Sequence, residues 1–155
     1  MITLRLGARH VEAEHAQELL DAILRQPKSC DIVWFSTPYG YPPMTEHRKE
    51  AEKMATAANM FRKASIGVSM QVANTLGHGE YMKTRDCTGL VYEGSPAEHM
   101  VGTQGEVAGY CFCWRGNHVR DYLENMLRLY ARWVTPDVVW FDDDFRADNH
   151  DPVEY

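Results

Sequence analysis

The chain has 155 residues, 45% hydrophobic and 25% charged, a balance that suits one globular domain with a sizeable core and excludes a disordered or fibrous segment. Its 16 Lys and Arg against 22 Asp and Glu give a formal net charge of −6 with no Lys/Arg-rich stripe, so a nucleic-acid backbone is excluded as a generic partner. No apolar run approaches membrane-spanning length, and Met1-Ile2-Thr3-Leu4-Arg5-Leu6 is not a basic region followed by an apolar one, so neither a membrane partner nor export is expected.

Ile2 to Leu6 alternates at period two and reads as a first strand, after which Ala16, Leu19, Leu20, Ile23 and Leu24 recur at helical spacing until Pro27 ends the helix. Asp31-Ile32-Val33-Trp34-Phe35 is a compact apolar run, a second strand with Trp34 expected in the core. A Pro-rich turn (Pro38, Pro42, Pro43) leads to Thr45, the expected N-cap of a second helix whose Ala51, Met54, Ala55, Ala58 and Phe61 form one apolar stripe. Ser65 to Val72 reads as a third strand, weakened by its Gly and Ser.

Residues 74–116 make a connection far longer than the ~2–6 residues usual between strand and helix, and read as a lid-like insertion or substrate-binding loop. Asn117 is the expected cap of a third helix, in which Val119, Leu123, Met126, Leu127, Tyr130, Ala131 and Val134 keep to one face before Pro136 stops it. Val138-Val139-Trp140-Phe141 is the fourth strand. No internal repeat and no low-complexity tract is evident.

The order βαβαβαβ with apolar strands calls for a parallel sheet covered by helices, either an open doubly wound sheet or the first half of a (β/α)8 barrel. The first strand-to-helix turn has only Gly7 where a dinucleotide fold carries a Gly-rich loop, and no Walker-type loop is present, so no nucleotide cofactor is expected.

The most informative feature follows the fourth strand: Asp142-Asp143-Asp144, with Arg146, Asn149 and His150 close behind. Adjacent carboxylates repel and lose hydration near a core, so such a cluster is there for chemistry, and the carboxyl ends of parallel strands are where ligands bind. Asp142 and Asp144 share a direction while Asp143 takes the other until the strand rule lapses. Two readings of the triplet stay open. In one, Asp142 or Asp144 is an acid/base or nucleophile whose pKa a neighbouring Asp raises; in the other, Asp143 and Asp144 are hydrogen-bonding supports that pair with Arg146. Arg9 after the first strand, Ser36 and Thr37 after the second, and Asn74 and His78 after the third fall on the same face, where such polar groups are candidates to hold a ligand, although Arg9 can equally neutralise an acidic neighbour. Trp34, Tyr39, Tyr41 and Trp114 are candidates for stacking on a ligand ring, with packing of the Pro-rich turn the alternative for Tyr39 and Tyr41.

Cys30-Asp31-Ile32-Val33-Trp34-Phe35, Thr75-Leu76-Gly77-His78-Gly79-Glu80, Gly109-Tyr110-Cys111-Phe112-Cys113 and Trp140-Phe141-Asp142-Asp143-Asp144-Phe145-Arg146 with Asn149-His150 together resemble the N-terminal half of a family of bacterial (β/α)8 proteins. That family is glycoside-hydrolase-like, or β-galactosidase-like. The resemblance spans nearly the whole chain and implies an α/β fold: a parallel-stranded (βα)3β half of a TIM-type barrel, residues 1–155 as one domain, with a carbohydrate as substrate. It puts the active site at the strand carboxyl ends; on that reading Asp142, Asp143 and Asp144 are the catalytic candidates, Arg9, Asn74, His78, Arg146 and His150 the substrate-binding ones, and the aromatics named above surfaces for sugar rings. The chain departs from the family pattern by ending at Tyr155, after the fourth strand, whereas glycosidases of this architecture carry the second carboxylate on a later strand. Hydrolysis is therefore expected only if a C-terminal half or a second copy completes the barrel; otherwise the chain is a catalytically incomplete barrel or sugar-binding remnant.

Two further expectations come from the residues alone. A metal-dependent hydrolase would draw on Asp142, Asp144, His78, His150 or the Cys111–Cys113 pair, but no metal-ligand motif is present, and the expectation is no metal. The open edges of a four-strand half-barrel favour self-association as a two-fold dimer. Cys30, Cys87, Cys111 and Cys113 read as reduced thiols in a cytoplasmic protein.

Overall fold

The structure, a computed structural model, describes residues 1–39, 42–73 and 99–142. In chain order its elements are strand β1 (Thr3–Arg5), a 3-10 turn (Ala8–Val11), helix α1 (Ala13–Leu24), β2 (Ile32–Ser36), α2 (Met44–Lys63), β3 (Gly67–Val72), β4 (His99–Val101), β5 (Val107–Phe112), α3 (Asn117–Trp133) and β6 (Val138–Phe141). The main sheet has four parallel strands in the order β1-β2-β3-β6, so each new strand pairs with the one laid down before it. This is the expected α/β class with a parallel sheet. The order has no reversal point of the kind a doubly wound sheet contains.

Pleating divides the sheet into two unlike faces. Val33 and Phe35 of β2 and Val68, Met70 and Val72 of β3 pack into one core with Ala16, Leu20 and Ile23 of α1, Ala51, Met54, Ala58 and Phe61 of α2, and Met126, Tyr130 and Val134 of α3. All three helices thus draw their buried residues to the same side of the sheet. Along the register, the opposite face carries Arg5, then Trp34 and Ser36, then Gly67, Ser69 and Gln71, then Val138 and Trp140. No helix of the described part covers it. A Cβ at Gly67 would lie 3.0 Å from the Ile32 side chain, so a larger residue there obliges that side chain to shift by a few tenths of an ångström.

The two outer pairs of strands are built alike. The Asp31 N–H donates to the Ile2 carbonyl while an Asp31 carboxylate oxygen accepts the Ile2 N–H; Asp137 makes the same two bonds with Val68, at 2.7 and 2.8 Å. Register then places Thr3 beside Ile32 and Arg5 beside Trp34, and equivalently Ser69 beside Val138 and Gln71 beside Trp140. Asp31-Ile-Val-Trp-Phe and Asp137-Val-Val-Trp-Phe are therefore a repeated strand start, contrary to the expectation of none. It covers five residues per copy, and the preceding helices differ, 12 residues in α1 and 17 in α3, so no fixed period spans it.

Helix ends differ from expectation for local reasons. Pro43, not Thr45, occupies the N-cap of α2 in extended backbone, and Gly116, not Asn117, caps α3. In each case the backbone turns in before the polar residue, and Asn117 instead accepts a hydrogen bond from Arg120. At the other end of α2, Ser65 adopts a left-handed φ of 63°, its N–H donates to Arg62 and that of Ile66 to Phe61, the double bond of a Schellman cap. Trp34 lies half-buried on the uncovered face, not in the helix-side core, because it alternates with Val33 and Phe35. Within the expected lid, β4 and β5 form an antiparallel hairpin, so Gly109 to Phe112 is strand. The remainder of that expected lid, residues 74–98, lies outside the described residues.

Candidate functional site

Polar side chains converge at the carboxyl end of the sheet on its uncovered face. The Ser36 hydroxyl donates to the Gln71 side-chain oxygen at 2.8 Å, and the Gln71 amide nitrogen donates to an Asp142 carboxylate oxygen at 2.6 Å. Asp142 extends β6 by one residue, its N–H bonded to the Val72 carbonyl, which aims its side chain to the same face as Trp140. Three strand tips are thus tied in one row, and the amide of Gln71 is fixed in orientation by having a donor on its oxygen and an acceptor on its nitrogen. Thr37 secures the row from behind: its hydroxyl accepts the Ala73 N–H and its own N–H bonds to the Gln71 carbonyl. Next to the row, the Ser69 hydroxyl is fully buried and has no hydrogen-bond partner among the described residues.

Beside this row a cavity of about 470 Å³ opens between the 3-10 turn and α2, over the tips of β1 and β2. That volume lies in the range of small-molecule sites. Arg5, Ser36, Tyr39, Glu46 and Glu50 give it its polar groups, and Leu6, Val11 and Phe35 its apolar wall. The Arg5 guanidinium lies over the Trp34 ring, 5.2 Å from its centroid, and donates to the Tyr39 hydroxyl at 3.1 Å. Among the described residues it has no carboxylate partner, and its remaining N–H groups have no acceptor. Glu46 is ion-paired with Lys49. Glu50, one turn further along α2, is half-buried and makes no hydrogen bond or ion pair among the described residues; burial pushes its carboxyl above the ordinary range, Lys53 pulls it down and Glu12 adds to the rise.

The cavity's α2 wall is positioned from α3. His47, fully buried in the first turn of α2, has Nε2 2.6 Å from the Tyr122 hydroxyl and Nδ1 3.1 Å from that of Tyr130. Tyr122 donates its own proton to the Pro42 carbonyl at 2.7 Å, so His47 donates from Nε2 and accepts from Tyr130 at Nδ1. Burial lowers the His47 pKa to about 4, which keeps the ring neutral as this pattern requires, and raises that of Tyr130.

Of the residues singled out in the sequence, Asp142, Ser36 and Thr37 meet at the rim. Arg9 stands exposed on the 3-10 turn and does not line the cavity. Asp143, Asp144, Asn74, His78, Arg146, His150 and Tyr41 lie outside the described residues. Trp114 is exposed with Arg115 stacked on it, 4.9 Å from the ring centroid. No group of His, Cys, Asp and Glu suited to a metal ion occurs among the described residues. Cys30 and Cys113 are free thiols. Sequence reasoning missed Gln71, Arg5, Glu46 and Glu50. Gln71 was findable as the last uncovered-face residue of the third strand, and Glu46 and Glu50 by their i, i+4 spacing on the flank of the apolar stripe of α2. No protein-family model, curated protein or solved structure matches the chain.

Proposed function

We propose that the chain acts on a carbohydrate at the carboxyl-terminal rim of its parallel sheet, as one half of a (β/α)8-type barrel of glycoside-hydrolase-like character. The observation that carries this reading is the Ser36–Gln71–Asp142 row, three strand tips offering amide, hydroxyl and carboxylate groups on a face flanked by Trp34 and Trp140. Sugars are held by such oriented polar groups, with indole rings for their C–H faces. The chain-sequential strand order and the gathering of helices on one side are what a barrel segment requires.

In this reading Asp142 is the carboxylate that the described residues contribute to acid/base or nucleophilic work, and Gln71 fixes the direction of its oxygens. Hydrolysis needs a second carboxyl group about 5–5.5 Å away for retention or about 6.5–9.5 Å for inversion, drawn from Asp143, Asp144 or a completing half. The free thiols Cys30 and Cys113 accord with a cytoplasmic location. No helix of the described residues is long and apolar enough to cross a membrane.

The test is a panel of aryl glycosides given to the native protein and to Asp142→Asn. Native turnover that falls about 10²-fold or more in the variant is expected, as for loss of an acid/base group; equal turnover in the two removes Asp142 from the chemistry. The short Gln71–Asp142 bond favours a second reading, sugar binding without hydrolysis, because it already occupies one carboxylate oxygen. That reading holds if no glycoside turns over while monosaccharide binding, followed by calorimetry, weakens in Asp142→Asn.

A further inference from the structure

The paired architecture of the sheet makes residues of the two strand pairs equivalent. Thr3–Ile32 corresponds to Ser69–Val138, so Arg5 corresponds to Gln71, Trp34 to Trp140 and Ser36 to Asp142. In the second pair the long polar side chain, Gln71, meets a carboxylate, Asp142, at 2.6 Å. In the first pair the equivalent long side chain is a guanidinium, and the position equivalent to Asp142 is Ser36, whose hydroxyl is turned to Gln71. Among the described residues Arg5 is thereby left with a full charge, several unused donors and no acid within ion-pair reach, on the wall of a cavity of about 470 Å³.

We propose that this cavity binds a monosaccharide-sized sugar acid, the ligand's own carboxylate taking the place at Arg5 that Asp142 holds at Gln71, and its hydroxyls turning to Glu50. The proposal rests on the carbohydrate reading above and adds the charge of the ligand to it. Three features support it. Stacking on Trp34 and the bond to Tyr39 hold the guanidinium in one plane, the state in which it grips a carboxylate through two parallel N–H bonds. Glu50 has no partner among the described residues, so its oxygens are offered to sugar hydroxyls, and its raised pKa lessens repulsion of an anionic ligand. Leu6, Val11 and Phe35 give an apolar wall for the carbon face of the ring.

Calorimetric titration of the full chain with glucuronate, glucose and glucosamine tests this, beside the same titrations of Arg5→Gln and Glu50→Gln. Glucuronate is expected to bind at least about tenfold more tightly than glucose. Arg5→Gln is expected to abolish that preference, and Glu50→Gln to weaken both sugars alike. Equal binding of glucuronate and glucose overturns the sugar-acid inference and leaves the carbohydrate reading standing. A preference for glucosamine also overturns it, assigning the cavity to an ammonium held by Glu46 and Glu50. Retention of the glucuronate preference in Arg5→Gln overturns the assignment to Arg5, and binding of none of the three sugars overturns both readings together.

Discussion

His47 holds two hydroxyls of α3 from the first turn of α2, and its protonation is tied to the fold. Its pKa is lowered from 6.5 to about 4 by burial, so the folded state binds fewer protons than the unfolded one between those values. The contribution to stability is complete above about pH 6.5 and is lost as pH falls through about 4, for a total on the order of 3 kcal/mol. Urea unfolding at pH 7 and pH 5 is expected to show the native protein losing stability over this interval more steeply than His47→Gln, which cannot titrate. Parallel losses in both would contradict the assignment. At pH 7 the variant is expected to be less stable by about 1–3 kcal/mol, since the tyrosine hydroxyls lose their fitted partner. The role of His47 was legible in principle: it stands four residues before Ala51 and so continues the stripe Ala51, Met54, Ala58, Phe61. Flanked by Glu46 and Arg48, it reads as surface unless that spacing is followed back. Asp142 was legible from position alone, but its partner Gln71 was not, because a glutamine in a strand carries no signal until register brings a carboxylate beside it.

At the scale of elements, each of the three turns from helix to main-sheet strand contains a non-glycine residue in the left-handed region: Lys28 (φ 70°), Ser65 (φ 63°) and Thr135 (φ 46°). Only glycine enters that region without the Cβ penalty, and a β-branched residue such as Thr135 bears most of it. Thr135→Gly is expected to stabilise the protein by about 1 kcal/mol, read as a higher urea midpoint at unchanged slope; a lower midpoint would show that the Thr135 side chain contributes more than its backbone costs. These turns also explain what the sequence showed and what it concealed. The stripes of α1, α2 and α3 and the apolar runs of β2 and β6 stood out because one face of each is buried, and Val138 to Phe141 matches residue for residue. The β4–β5 hairpin was hidden, since Gly102, Gly105 and Gly109 dilute any alternation in that stretch. Left-handed turns built from Lys, Ser and Thr give no glycine to mark the helix ends.

For the molecule as a whole, β1 and β6 are the outermost strands of the sheet among the described residues, and apolar side chains concentrate near both. Ile2 is 50% exposed at one, and Trp140 and Phe141 are 41% and 52% exposed at the other. Open edges with apolar flanks pair with whatever strand is offered, and in a parallel eight-strand closure the edge of β6 meets β1 of another half. We expect a two-fold dimer of half-barrels, with light scattering at micromolar concentration giving twice the chain mass. A clean monomer at that concentration would count against closure by a second copy. Charge substitution at the edge, Phe141→Lys, is expected to shift the equilibrium towards monomer.

The matching hooks of Asp31 and Asp137 lie at the feet of their strands, whereas Ser36 and Asp142 lie at the tips. Anchorage and the proposed site therefore lie at opposite ends of one repeated unit. Redesign of either tip leaves the hook that sets its strand in place untouched, so this scaffold is suited to trading one working group for another.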